Sequence, residues 1–230
     1  MYDQLAATIA LSMGVAWASG INLYAAVFML GFLGSNGQLQ LPPDLLILQD
    51  PMVLGAAGLM YLVEFFADKI PGVDTGWDTI HTFIRIPAGA MLAAGAVGDM
   101  SPAMEITAGL LGGGLATASH AAKSGTRVLI NTSPEPFTNW GASVGEDIGV
   151  IAGLWAALNH PVLFLGLLLL WVVLLVWLIP KIWRGIKRVF RFLGSLFRSQ
   201  STEPAPEAGG VAPPSPDHPP ELPKRLPGAE

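Results

Sequence analysis

Apolar residues fill this chain in long blocks, and polar residues gather in the short stretches between them. Six blocks stand out: about Leu5 to Leu33, Pro51 to Ala67, Ile80 to Val97, Ala103 to Ile130, Trp140 to Leu158 and Val162 to Ile179. A helix needs about 20 mostly apolar residues to cross the ~30 Å hydrocarbon core of a bilayer. The pattern therefore predicts an all-α, polytopic membrane protein with about six transmembrane helices. The sixth block, VLFLGLLLLWVVLLVWLI, is apolar on every face. The others are rich in Gly, Ala and Ser, which suits helices packed closely on one another. A water-soluble bundle would need a polar face on each helix, and most of these segments have none.

Composition agrees. Only 13% of the 230 residues are charged and the mean hydropathy is +0.52, against about 25% charged residues in a typical soluble domain. The chain has no cysteine, which excludes disulfides and thiolate metal sites. Its net charge of −5 hides an uneven distribution, because six of the 12 basic residues lie between Lys181 and Arg198. The opening Met1-Tyr2-Asp3-Gln4 lacks the positive charge of a cleavable signal, so the first block is expected to stay.

Three regions follow. Residues 1–180 form a transmembrane helical domain. Residues 181–199, KIWRGIKRVFRFLGSLFRS, alternate basic and apolar faces and read as an amphipathic helix on an anionic inner leaflet. Residues 200–230 are Pro-rich with few bulky apolar groups, and a disordered cytoplasmic tail is expected. The connections after blocks one, three and five carry no Lys or Arg. Lys69, Arg85, Lys123, Arg127 and the Lys181–Arg198 cluster all fall on the other side. By the rule that basic loops stay inside, both termini are cytoplasmic in a six-span chain.

Ionisable groups inside a span are expensive and usually meet a partner or a cavity. Glu64 and Asp68 are four residues apart on one face of the second helix. Asp74, Asp78, His81 and Arg85 recur at four, three and four residues and make one stripe leading into the third helix. His120, Lys123 and Arg127 make a comparable stripe on the fourth, and Glu146 and Asp147 sit about a third of the way along the fifth. The economical arrangement pairs Glu64 and Asp68, or Glu146, with Lys123 and Arg127. The expected polar centre is thus Glu64, Asp68, Lys123, Arg127, Glu146 and Asp147, with Asn22, Asp74, Asp78, His81, Arg85 and His120 as secondary members. Such a set serves either as structural ion pairs that fix helix register or as the lining of a cavity that binds an ion or solute. At about 1.5 Å per residue the first block is roughly 43 Å long, so a break near Ser19-Gly20-Ile21-Asn22 is expected.

Short matches between the halves raise an inverted duplication of three helices each. Ala18-Ser19 corresponds to Ala118-Ser119, and Leu62-Val63-Glu64 to Val144-Gly145-Glu146. No nucleophile–base pair or complete set of metal ligands is visible, so neither an enzyme, a metal nor a cofactor is expected. The basic helix adjoins a span and a tail, which argues against nucleic acid. Small-residue faces permit a homo-oligomer.

Gly20-Ile21-Asn22-Leu23-Tyr24 and YLVEFFADKIPGVDTGWDTIHTFIRIPAGA, from Tyr61 to Ala90, resemble bacterial membrane proteins with domain of unknown function 4126. The resemblance covers about residues 5 to 160. It implies a multi-pass protein of the bacterial inner membrane and carries over no activity. The leading expectation is a small transporter or channel-like protein for an ion or small polar solute. The alternative is a membrane scaffold that recruits partners through its tail.

Overall fold

A computed structural model describes residues 2–98, 100–131 and 136–198. Every described element is helical: α1 (Tyr2–Ser35), a short 3-10 helix (Pro43–Gln49), α2 (Pro51–Ala67), α3 (Val73–Ala96), α4 (Pro102–Ile130), α5 (Pro136–Asn159) and α6 (Pro161–Arg198). The chain divides into two compact units after Phe192, and of the second unit only the helical backbone of Leu193–Arg198 is described. The tail at 200–230 lies outside the described residues.

Proline opens most of these elements. Pro43, Pro51, Pro102, Pro136 and Pro161 each stand at a helix start, where the missing N–H is no loss and the fixed φ is already helical. Caps complete two of them: Asp50 Oδ1 accepts from Met52 N at 2.8 Å, and Ser101 Oγ accepts from Met104 N at 3.3 Å. At the start of α3 the work falls to Gly72, whose φ of 85° places it where a side chain would be strained. Its N–H donates to Asp74 Oδ1 at 2.8 Å.

The first unit is built around α1, which packs against α2, α3, α4 and α5. Its inner face supplies Val15, Ala18, Leu23 and Leu30 to a core that includes Leu92, Val150 and Leu154. Small residues allow close approach between α1, α3 and α4: a Cβ at Gly20 would overlap Ser119 Oγ and the Ala116 carbonyl, and one at Gly112 would overlap Ala93. The Gly112-Gly113-Gly114 run is thus packing surface on α4. α6 meets the bundle through Phe164, which lies against Ala10 and Ala157, and through edge contacts of Trp17 with Phe164 and Trp171.

Polarity is reversed relative to a soluble protein. Arg85 and Arg127 are the largest fully buried side chains, while Leu59, Leu62, Phe83, Met91, Leu110 and Trp177 are exposed. α1, α5 from Phe137 and α6 as far as Arg188 are long and apolar enough to cross a membrane. A fourth span results if the 3-10 helix and α2, which meet at 68°, count as one. α3 and α4, of 24 and 29 residues, have the length but carry the charged stripes, which lower their hydropathy although the charges face inward. The helix of the sixth block continues through Pro180 to Arg198. Lys181, Arg184, Lys187, Arg188 and Arg191 are exposed on it, and Lys181 Nζ sits 2.8 Å from the Trp177 ring centroid.

Candidate functional site: a buried ion network

The site begins with a break in α1. Asn22 leaves helical geometry, with φ −145° and ψ 93°. In an unbroken helix Ala25 N would donate to the Ile21 carbonyl. Here Ala25 N donates instead to Asn22 Oδ1 at 2.9 Å, so Asn22 caps the second half of α1. The freed Ile21 carbonyl accepts from Lys123 Nζ at 3.1 Å. The Asn22 amide then donates to Asp147 Oδ1 at 2.9 Å. One residue therefore opens the helix, satisfies the broken ladder and reaches α5.

Lys123, on α4, is the hub. Its Nζ lies 2.6 Å from Asp68 Oδ2, 3.4 Å from Glu64 Oε1, 3.7 Å from Asp78 Oδ1 and 3.8 Å from Glu146 Oε2. Arg85 reaches Glu64 Oε1 at 2.6 Å through Nη2 and Asp78 Oδ1 at 2.8 Å through Nη1. Arg127 donates through Nη2 to Glu146 Oε2 at 2.6 Å, and through Nη1 to the Asp68 carbonyl at 3.1 Å and to the carbonyl and side-chain oxygen of Asn139. Helical spacing explains the convergence. Glu64 and Asp68, Asp78 and Arg85, and His120, Lys123 and Arg127 each repeat at three, four or seven residues and so share one face of their helix.

Neutral groups complete the set. Arg85 Nη1 also donates to His120 Nδ1 at 3.3 Å, which makes that nitrogen an acceptor and puts the ring proton on Nε2. Nε2 donates to Thr82 Oγ1 at 2.6 Å, and Thr82 donates onward to the Asp78 carbonyl. His81 lies 2.9 Å from the Trp77 carbonyl through Nδ1 and 3.1 Å from the Tyr24 hydroxyl through Nε2. Asp74 has no Lys or Arg within ion-pair distance among the described residues, although its charge is felt by Arg127. Its carboxylate accepts from Gly72 N, Thr75 N and both oxygens from the Asn131 amide, which ties the start of α3 to the end of α4. Asp147 likewise meets Asn22 rather than Lys123 or Arg127 as its bonded partner.

The geometry also recruits residues that charge spacing alone did not single out. Tyr24, Thr82, Asn131 and Asn139 all bond to members of the set, and Ser143 accepts from the neighbouring Lys69. Asn139, Ser143 and Glu146 lie four and three apart, so the α5 stripe was visible as a polar heptad among Gly and Ala. Lys69, in the connection after α2, is buried against Phe65, 3.0 Å from its ring centroid, and donates to Ser143 Oγ at 3.4 Å. Burial pushes its ammonium below the usual lysine range, opposed by Asp147 and Asp68.

A cleft of about 350 Å³ opens beside the network, between α4, α5 and α6. Lys123 and Glu146 supply its polar end, and Trp171, Leu174, Leu175 and Leu178 its apolar wall. Among the ion-paired carboxylates Glu146 is the most accessible, with 19% of its side chain exposed against 0 to 4% for the other three. No group of acidic, His or Cys side chains suited to a metal ion occurs among the described residues.

These features define a class: a helical bundle, apolar outside, with an ion network at the centre and a broken helix feeding it. A family model described as a domain of unknown function, DUF4126, matches residues 9–181, and the chain belongs to that family. No curated protein and no solved structure matches it.

Proposed function

We propose that this is a six-span membrane protein, both termini cytoplasmic, that moves an ion or small polar solute through the polar centre formed by Glu64, Asp68, Asp78, Arg85, Lys123, Arg127 and Glu146. The observation that supports this best is the break at Asn22, which turns the Ile21 carbonyl out of its helix and onto Lys123. Broken helices at membrane depth are tolerated where they are buried in protein or line a cavity, and transporters use them to build binding sites. A purely structural ion cluster has no need of one. The exposed apolar exterior supports the lipid-facing arrangement. Of the basic residues that orient the chain, however, Arg85, Lys123 and Arg127 are held in buried pairs, so the exposed Lys181–Arg191 group carries the orientation. An inverted duplication draws some support from Ser19 and Ser119. Each hydroxyl bonds the carbonyl three residues earlier, at Ala16 and Ala116.

The test is flux through liposomes containing the full chain, with a pH dye inside and imposed Na⁺, K⁺ or H⁺ gradients, and light scattering for glycerol-sized solutes. Wild type should give flux above empty vesicles. Glu64→Gln and Glu146→Gln should each reduce it at least about tenfold, corresponding to a ~1.4 kcal/mol change at the rate-limiting barrier. Unchanged flux in both variants would place the pathway elsewhere.

A further inference from the structure

The network does not balance. Among the groups within ion-pair distance of one another, Arg85, Lys123 and Arg127 face Glu64, Asp68, Asp78 and Glu146, leaving one negative charge without a cation. An uncompensated charge away from water is strongly disfavoured. A second, independent observation points to what is missing. Glu64 Oε2, Asp68 Oδ1 and Asp78 Oδ2 are all buried and have no hydrogen-bond partner, in side chains that are at most 4% exposed. An ionised carboxylate oxygen can only accept, whereas a protonated one becomes a donor. Adding one proton removes the charge excess and supplies one of the missing donors.

We propose that the network binds one exchangeable proton, shared among its carboxylates, with Glu146 as the point of exchange at the α4–α6 cleft. Resting on the reading of this network as the working centre, the inference names the ion. The proton comes from hydronium in the cleft, which leaves as water, and release reverses the step. Lys123 already occupies the position where these carboxylates converge, which favours a proton over a metal cation.

The groups around the network do not supply the missing charge. From α1, the Tyr24 hydroxyl bonds His81 and the Ile21 carbonyl bonds Lys123. From α3, Asp74 is satisfied by Gly72, Thr75 and Asn131, and His81 is held by Trp77 and Tyr24. From α4, His120 accepts from Arg85 and is neutral. Asp147 on α5 adds a further negative charge, which Lys69 beyond α2 offsets, and the half-buried Tyr61 on α2 adds no positive one. α6 brings Trp171, Leu174, Leu175 and Leu178 to the cleft.

Infrared difference spectroscopy of the full-length protein in liposomes reads the proton as the carbonyl band of an un-ionised carboxyl group. At neutral pH the wild type should show one such group, and its band should shift in D₂O and stay unchanged on adding Na⁺ or K⁺. Amide replacement of any one member, Glu64→Gln, Asp78→Asn or Glu146→Gln, evens the count and should abolish the band. Lys123→Met should enlarge it, while Asp74→Asn and Asp147→Asn should leave it. A wild type without the band overturns the proposal, and that reading requires no variant to fold. So does a band that disappears in Asp147→Asn, or one that Na⁺ displaces. An imidazolium signal from His81 in place of the carboxyl band also overturns it. Flux absent with the band present would sink the transport reading alone, and flux present without the band would sink this one alone.

Discussion

At the scale of single residues, Asn22 has the most to lose. Its side chain caps Ala25 N and donates to Asp147, whose other oxygen is already without a partner. Asn22→Ala should destabilise the fold by about 1–3 kcal/mol, the penalty for stranding buried polar groups. Asn22→Ser, which retains a capping oxygen, should lose about half as much. Thermal unfolding in one detergent ranks the two, and equal losses would show that the cap contributes nothing. Lys123→Met strips the ammonium from four carboxylates and should cost about 3–5 kcal/mol. Because the pairs are buried, the Tm difference between wild type and Lys123→Met should persist between about 0.1 M and about 1 M salt. A difference that vanishes at high salt would mean that water reaches the network. The charges themselves were legible in the sequence, since spacing at three and four residues puts each stripe on one helix face. Their pairing was less so. That Asp147 would turn to Asn22, and Asp74 to Asn131, depends on how α1 and α4 are placed in three dimensions, and amide side chains leave no periodic signal.

At the scale of elements, close approach decides what can be changed. Gly112 on α4 leaves no room for a side chain beside Ala93 of α3. Gly112→Leu should therefore push α3 from α4, destabilise by at least about 1–3 kcal/mol and, by moving Lys123 and Arg127 relative to Arg85, reduce any flux with it. Gly114, which faces open space, is the matched control and should tolerate Leu. The helices were readable from apolar runs, and the break at Asn22 from the excess length of the first run. One feature was not. The 3-10 helix Pro43–Gln49 buries only Leu45 and Leu48, too little for a periodic pattern. The early start of α3, at Val73, lies outside the apolar run, which begins only at Ile80. It was signalled instead by the charged stripe from Asp74, in which Asp74 and Asp78 are already helical and buried.

At the scale of the whole molecule, the transmembrane reading makes a prediction independent of any activity. The native chain has no cysteine, so single cysteines can be placed at Ser35, Lys181 and the Asn159–His160 turn without a background. Impermeant thiol reagents added to sealed right-side-out vesicles should label positions 35 and 159 and leave 181 protected until the vesicles are opened. Labelling of 35 and 181 from the same side would give an even number of spans between them and end the idea of inverted halves. Composition pointed to lipid as the solvent, and the exposed Leu, Phe and Trp side chains are compatible with it. The meeting of five helices at one lysine could not be read from any window of sequence, because it joins residues 21, 64, 78, 123 and 146.

The inside-out distribution of polarity has an engineering corollary. What holds α1 to α5 together faces inward, whereas Leu59, Leu62, Phe83, Leu110 and Ile148 present their side chains outward and touch little. Repainting that outer coat with Glu, Lys and Gln, and leaving every inward residue alone, should yield a version that stays dispersed in plain buffer without amphiphiles and retains the native helix arrangement.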